Sequence, residues 1–277
     1  MAGIQPSSAL KGRVAVVTGA SRGLGRQVAL ELAGQGVAVA LVARGEAALR
    51  QVESQLRQAG HKALAAPADV TDIQQVAALK VKVEAELGVP AILVNAAGIF
   101  GPIQFVEDSD PVAWTQTIQI NTLAPYLTCR AFVGGMIAQG WGRILNFTSA
   151  ASLHPPGPLN SAYGTSKVAL NQFTRHLAAE LEGSGVTANV MHPGDVKTEM
   201  WADIRDQANA LGPEAEAYRQ RVKWVEETGG DDPAKAARRV LQLMSEEING
   251  RFLWIENPLQ APIPSWGEVE GQQPWKK

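Results

Sequence analysis

Arg13-Val-Ala-Val-Val17 runs directly into Thr18-Gly-Ala-Ser-Arg-Gly-Leu-Gly25, and a stretch carrying Val28, Leu30 and Leu32 continues to Gly34. A β-branched run, a glycine-bearing turn and a helical pattern, in that order, read as strand, turn and helix. The rhythm repeats outward from there. Val37 to Ala43 reads as a second strand, followed by a helix through Ala59 that Gly60 closes. Leu64 to Ala68 gives a third strand, and Val76 to Leu87 a helix stopped at Gly88. Ala91 to Val94 is a fourth strand, Trp114 to Ile137 a long helix, and Arg143 to Phe147 a fifth strand. The helix from Ala162 to Glu182 precedes a sixth strand, Val186 to Met191; Pro233 to Met244 reads as helix and Gly250 to Ile255 as a last strand.

Strands alternating with helices at this spacing predict parallel βαβ units in a single doubly wound, Rossmann-type α/β domain with a mainly parallel sheet flanked by helices. The 277 residues, 45% of them hydrophobic, suffice to fill one such core. The expected boundaries are a tail over 1–10, one domain over 11–256 and an irregular Pro/Trp-rich tail over 257–277. Residues 153–160 read as a loop because three prolines exclude regular pairing. Residues 197–230 break the strand–helix rhythm; about 195–230 is expected to cover a substrate as a lid holding Trp201 and Trp224.

A formal net charge of −2 supplies no electrostatic footprint for nucleic acid or an anionic membrane. The N-terminal segment has no apolar region of a secretory signal, and no apolar run approaches the roughly 20 residues of a membrane helix. Cys129, the one cysteine, lies in an apolar run and reads as core packing in a reducing compartment. The expected location is the cytoplasm. No His/Cys/Asp/Glu group has metal-ligand spacing, so no metal is expected.

Gly19, Gly23 and Gly25 stand between a strand and a helix at the head of the first βαβ unit. Glycines there let the backbone approach a pyrophosphate and aim helix N–H groups at it. The spacing differs from the common dinucleotide pattern, and no Gly-Lys-Ser/Thr follows to make a P-loop. At the end of the second strand a carboxylate would select NAD(H) by accepting from the adenosine ribose. That corner reads Val42-Ala43-Arg44-Gly45, with no carboxylate before Glu46. Arg44 and Arg22 offer guanidinium forks for a 2′-phosphate instead, so NADP(H) is expected over NAD(H). Asp69, next to Val70, is placed to accept from an adenine amino group; the alternative is a helix N-cap role for the Asp69-Val-Thr-Asp72 cluster.

Tyr163 and Lys167 are four apart and share one face of a helix. Ser149 ends the fifth strand, where an open sheet places ligand-contacting residues. A tyrosine near its ordinary pKa of about 10 is a poor base at neutrality, but an ammonium one turn away and a cationic nicotinamide would lower it. Tyr163 would then exchange a proton with a substrate oxygen while hydride moves at the adjacent carbon.

Taken in order, these segments closely resemble the classical short-chain dehydrogenase/reductase family, from about Lys11 to Ile255. Thr18-Gly19-x-x-x-Gly23-x-Gly25 is similar to the family's cofactor turn, which also takes in Ser21, Arg22 and Leu24. Asn95-Ala96-Ala97-Gly98 resembles its central-strand motif, with alanine replacing a second asparagine. Asn121 falls where the helix asparagine lies, Ser149 where the substrate-orienting serine lies, and Tyr163-Gly-Thr-Ser-Lys167 fits the catalytic helix. His192-Pro193-Gly194-x-Val196-x-Thr198 fits the loop that covers the nicotinamide. The resemblance implies that Tyr163 is general acid and base, that Lys167 holds the ribose hydroxyls and that Ser149 binds the substrate oxygen. It implies further that Asn121 anchors a water linking Lys167 to solvent, that Val196 and Thr198 bind the carboxamide, and that the chain forms a homodimer or homotetramer.

Some features depart from the pattern. Ser149 and Tyr163 are 14 positions apart, one more than the family leads us to expect, which leaves room for a flanking serine in place of Ser149. The last strand lacks paired glycines. His154 and His192 lie near the expected pocket, where Leu153, His154 and Trp201 would line a moderately apolar carbonyl or secondary-alcohol substrate. Two other readings use the same residues: a non-catalytic dinucleotide-binding module, and an epimerase or dehydratase.

Overall fold

The computed structural model describes residues 9–153 and 157–255. Seven strands, β1 (Val14–Thr18), β2 (Ala38–Ala43), β3 (Ala63–Pro67), β4 (Ile92–Asn95), β5 (Gly142–Phe147), β6 (Val186–His192) and β7 (Phe252–Trp254), form one sheet in the order β3-β2-β1-β4-β5-β6-β7. All six pairings are parallel. Strands covered on both faces need apolar residues at every position, and all five residues of β1 are buried. Ala15 and Val17 pack with helices α1 (Gly23–Gly34), α2 (Glu46–Gln58) and α9 (Pro233–Met244) on one face. Val14 and Val16 pack with α3 (Ile73–Glu86), α5 (Ala124–Ala138) and α6 (Ser161–Glu180) on the other. Cys129 is buried in this second cluster, and burial pushes its thiol up to about 12, which makes it an inert core residue.

Strand order reverses between β1 and β4, so a crevice opens beyond their carboxyl ends. The expected strands are all present, with ends displaced by one or two residues. The expected helix over 114–137 is broken. It begins earlier, as α4 (Pro111–Ile118), because Asp110 caps it by accepting from Val112 N at 2.9 Å and Pro111 needs no N–H partner in the first turn. Gln119–Leu123 then form a π-helical turn ahead of α5. Pro125 supplies the reason: it has no N–H to donate and its ring crowds the carbonyl one turn back, so the ladder widens there.

Residues 197–230 hold two helices, α7 (Glu199–Asn209) and α8 (Glu216–Thr228), which follow β6 without an intervening strand. Of the two expected tails only Ala9 and Leu10 fall within the described residues, and His154 lies outside them. Among the described residues no helix is long and apolar enough to cross a membrane, and no group of His, Cys, Asp and Glu could hold a metal.

Candidate active site

Thr18 closes β1 with its Oγ1 accepting from both Ala96 N and Ala97 N at 3.1 Å, which draws the Asn95–Gly98 segment against the glycine turn. The turn has room only for glycine. Gly19 adopts φ +66°, and a Cβ there would lie 2.9 Å from Ala97 N. A Cβ on Gly25 would stand 2.4 Å from the Gly19 carbonyl oxygen. Gly23, exposed at φ +53°, opens α1 with the Thr198 methyl 3.3 Å from its own Cβ position. Arg22 at the N-cap makes no side-chain capping bond, and no acidic residue occupies the first turn of α1. A positive helix end without a capping carboxylate, behind a backbone with no side chains in the way, suits a dinucleotide pyrophosphate.

At the neighbouring corner Arg22 and Arg44 are both exposed. Glu46, the nearest carboxylate after β2, is held by Arg50, whose Nη2 and Nε donate to it at 2.6 and 2.9 Å. Asp69 does not cap α3; Asp72 does, accepting from Gln74 N and Gln75 N. Asp69 instead accepts from Thr71 N at 2.9 Å and from Thr71 Oγ1 at 2.7 Å. Those hydrogen bonds, with help from the Arg44 guanidinium, hold its carboxyl below the usual range, so it stays an acceptor at this corner. Val70 beside it is buried.

On α6, Lys167 is buried, and its Nζ donates to Phe147 O at 2.8 Å while standing 5.6 Å from the centre of the Tyr163 ring. The Ser149 hydroxyl lies beside the Tyr163 phenol and favours its ionised form, while Ser149 Oγ accepts from Ala151 N at 3.2 Å. The flanking Ser152 is committed elsewhere, donating to Ser149 O at 2.6 Å and accepting from Asn171 Nδ2 at 2.9 Å.

Tyr163 and Lys167 are shifted in opposite directions. Burial pushes the Tyr163 phenol up to about 12; the Ser149 hydrogen bond opposes this and the Asp195 carboxylate adds to it. Burial also brings the Lys167 ammonium down to about 8. The enclosure therefore disfavours both charged forms, and the ammonium does not offset it at the tyrosine.

Asn121 sits in the π turn, fully buried, with every polar atom of its side chain engaged. Its Oδ1 accepts from Ile99 N at 2.9 Å, and its Nδ2 donates to Ile99 O at 2.8 Å and to Ser166 Oγ at 3.0 Å. The side chain is thus a clamp between the segment after β4 and α6. Gly98 lies under it: a Cβ there would be 3.1 Å from Asn121 Oδ1 and 3.8 Å from Lys167 Nζ.

Residues 13–209 match the family model described as short chain dehydrogenase. The chain belongs to that family. A short chain dehydrogenase of Pseudocercospora fijiensis is 36% identical over 267 residues, 95% of this chain and 85% of the relative. The crystal structure of a metagenomic short-chain oxidoreductase in complex with NADP is similar at TM-score 0.69 and 32% identity, covering 86% of this chain and 93% of that one. The structure of NAD+-bound xylitol dehydrogenase is similar at TM-score 0.80 and 28% identity, covering 89% and 98%. As a short-chain dehydrogenase the chain is an oxidoreductase of the nicotinamide-using class that acts on CH–OH and C=O groups.

The side of this short-chain dehydrogenase site away from the sheet is built by residues that sequence reasoning partly missed. Asp231 straps the segment after Pro193: its Oδ2 accepts from Asp195 N at 2.6 Å and its N donates to Asp195 O at 3.1 Å. Gly194 adopts φ +83°, with its Cβ position 2.4 Å from the Asp231 carboxylate, and Val196 bridges to Gly230 and Asp231. Arg221 of α8 pairs with Asp195 and lies 4.5 Å from the Trp224 ring centre. Phe100 stacks on Tyr163 with ring centroids 4.5 Å apart and planes at 25°. Tyr218 meets Phe100 edge-on at 6.1 Å. Trp201 joins Met200, Phe100 and Tyr218 around a buried cluster of Ile103, Leu159, Ile204, Ala208 and Val222.

Leu153 packs with Val190, Phe252 and Trp254, and the His192 ring meets Trp254 edge-on at 5.1 Å. Phe100, Asp195 and Tyr218 carried no motif of their own. The available signal was position, since Phe100 lies two residues after Gly98 and Asp195 fills a variable position inside the 192–198 segment.

Proposed function

We propose that this short-chain dehydrogenase is an NADP(H)-dependent carbonyl reductase or secondary-alcohol dehydrogenase in which Tyr163 is the general acid in reduction and the general base in oxidation. The observation that carries the reading is the gathering of Ser149, the buried Tyr163 phenol and, one helical turn away, Lys167, beside a glycine cradle. When bound, the dinucleotide supplies or accepts the hydride. Gly19, Ser21, Gly23, Leu24 and Gly25 receive its phosphates, Asp69 and Val70 its adenine, and Arg22 and Arg44 its 2′-phosphate. Ala96, Ala97 and Gly98, held in place through Asn95 and Thr18, pass beneath the ribose that Lys167 bonds. Pro193, Gly194, Val196 and Thr198 hold the carboxamide.

In reduction, Ser149 donates a hydrogen bond to the substrate carbonyl oxygen and Tyr163 transfers its proton to that oxygen. A phenol pushed up to about 12 is suited to this, because it stays protonated through neutrality. In oxidation the proton returns to Tyr163. Lys167, brought down to about 8, can exchange protons near neutral pH. The substrate is a small, moderately apolar ketone or secondary alcohol, since Phe100, Met200, Trp201 and Tyr218 dominate the side facing α7 and α8.

The test is NADPH consumption with a panel of ketones, wild type against Tyr163→Phe. A loss of roughly 100- to 10,000-fold is expected. Nucleotide binding without turnover of any carbonyl would point to a non-catalytic module. Conversion without net cofactor consumption would point to epimerisation or dehydration. Arg44→Asp combined with Arg22→Ser should move preference towards NAD(H); an unchanged preference ratio would refute the assigned 2′-phosphate contacts.

A further inference from the structure

Helix α7 is amphipathic, and Ile204, Ala208 and Leu211 turn towards the segment that follows β4. Gln207 lies in the same stripe, three residues after Ile204. A polar side chain there must satisfy itself, and its amide does so on backbone alone: Oε1 accepts from Ile103 N at 2.9 Å and Nε2 donates to Gly101 O at 3.1 Å. The clamped segment is pinned from its other sides as well. Gly101 adopts φ +78° with its Cβ position 2.2 Å from Thr117 Oγ1, so it lies flat against α4, and Gln104 N donates to Leu159 O at 3.2 Å. Phe100, the residue just before the clamp, carries the ring stacked on Tyr163. Tyr218, whose hydroxyl donates to Pro158 O at 3.1 Å, closes on that ring from α8.

We propose that Gln207 is a positioning residue that holds Phe100 against Tyr163, and that Phe100 is the wall limiting the carbonyl substituent admitted on that side. The inference rests on the carbonyl-reductase reading for its substrate. One face of the Tyr163 ring is occupied by Phe100, so the substrate oxygen reaches the hydroxyl with only a small or flat substituent directed at the Phe100 edge. Because the two amide bonds run from α7 to the backbone on either side of Pro102, displacement of α7 carries Phe100 with it. Lid position and pocket size are thereby linked through one side chain.

The test is a double-mutant cycle on Phe100→Ala and Gln207→Met, the latter keeping side-chain length while removing both hydrogen bonds. The reading is the ratio of kcat/KM for a bulky aryl ketone, butyrophenone, over that for a small one, 2-butanone. Phe100→Ala is expected to raise the ratio at least about tenfold, in the range that pocket contacts provide. Gln207→Met should raise it in the wild-type background and leave it unchanged in the Phe100→Ala background. An unchanged ratio in Phe100→Ala, or a Gln207→Met effect that persists without Phe100, overturns the proposal. A second readout needs no turnover: nitration of Tyr163 by tetranitromethane, resolved by peptide mapping from Tyr126 and Tyr218. Both single variants should nitrate Tyr163 faster than wild type, with no further increase in the double variant. If no ketone is consumed by wild type, the carbonyl-reductase reading fails, and the nitration pattern still decides whether Gln207 holds Phe100 on Tyr163.

Discussion

Replacing Lys167 with methionine should make the fold gain stability relative to wild type at neutral pH, by an amount that fades in alkali. The buried ammonium is brought down from 10.5 to about 8 by desolvation. At about 1.36 kcal/mol per pKa unit, the folded chain bears a penalty of roughly 3 kcal/mol when Lys167 is protonated in both states. The sign follows from proton counting. Between pH 8 and 10.5 the unfolded chain still binds the proton that the folded chain has released, so stability rises with pH in this window. Below it the penalty is complete. Methionine fills a similar volume and removes the ammonium, but leaves Phe147 O without its 2.8 Å donor, a pH-independent cost of about 1–3 kcal/mol. The two effects separate in urea unfolding of both proteins without added nucleotide, from pH 7 to pH 10.5. The stability of wild type minus that of Lys167→Met should climb by roughly 3 kcal/mol across the range, most steeply above pH 8. A flat difference would show that the ammonium is not desolvated in the fold, and the argument about its proton exchange would fail with it.

Asp195→Asn removes a carboxylate that disfavours the Tyr163 phenolate, so the tyrosine should ionise more readily. The rising limb of the pH profile for alcohol oxidation should move to lower pH; no movement, or an upward one, would contradict the placement of Asp195. Gly25→Ala puts a methyl 2.4 Å from the Gly19 carbonyl oxygen, and the resulting shift of the turn should cost about 1–3 kcal/mol and weaken nucleotide binding. An unchanged Tm together with an unchanged Kd would refute the tight approach. Val112, Leu123, Tyr126 and Val168 are 75, 40, 42 and 48% exposed on α4, the π turn, α5 and α6. An apolar face of this kind is proposed as the contact between copies of the chain, and sedimentation of a single 29.5 kDa species would reject it.

The sheet could be read from sequence because its signals are local. In β1, Val14 and Val16 face one set of helices while Ala15 and Val17 face the other, and such a run announces a strand buried on both sides. Gly60 and Gly88, at φ +83° and +101°, mark helix ends that were equally visible. The π turn was not visible, because the apolar pattern continues through it; only Pro125, within an otherwise helical run, carried a hint. The proposed catalytic residues were readable by position at strand and helix ends. Their electrostatics were not, since Tyr163 is pushed up by burial and by the Asp195 carboxylate and opposed by the Ser149 hydroxyl, groups that lie on separate segments. The backbone contacts of Asn121 and Gln207 also escaped, because a glutamine or asparagine in sequence does not reveal the backbone it will bond 22 or 104 residues away.

The opposed shifts at Tyr163 and Lys167 have a common cause, and on the proposed function this cause suits both directions of the reaction. Low polarity around the pair favours the neutral phenol and the neutral amine together. Reduction begins beside an uncharged dihydropyridine, and there Tyr163 must give up a proton, so a phenol held high is the form required. Oxidation begins beside a cationic pyridinium, and there Tyr163 must accept one. A positive charge in a poorly screened site stabilises the phenolate far more than it would in water. It also disfavours the Lys167 ammonium, so that proton is the more readily released. The chain need not set the tyrosine near neutrality by itself. A tyrosine already tuned low by its own lysine would be a poor acid in reduction, whereas one raised by enclosure takes either role according to the charge of the ring bound beside it.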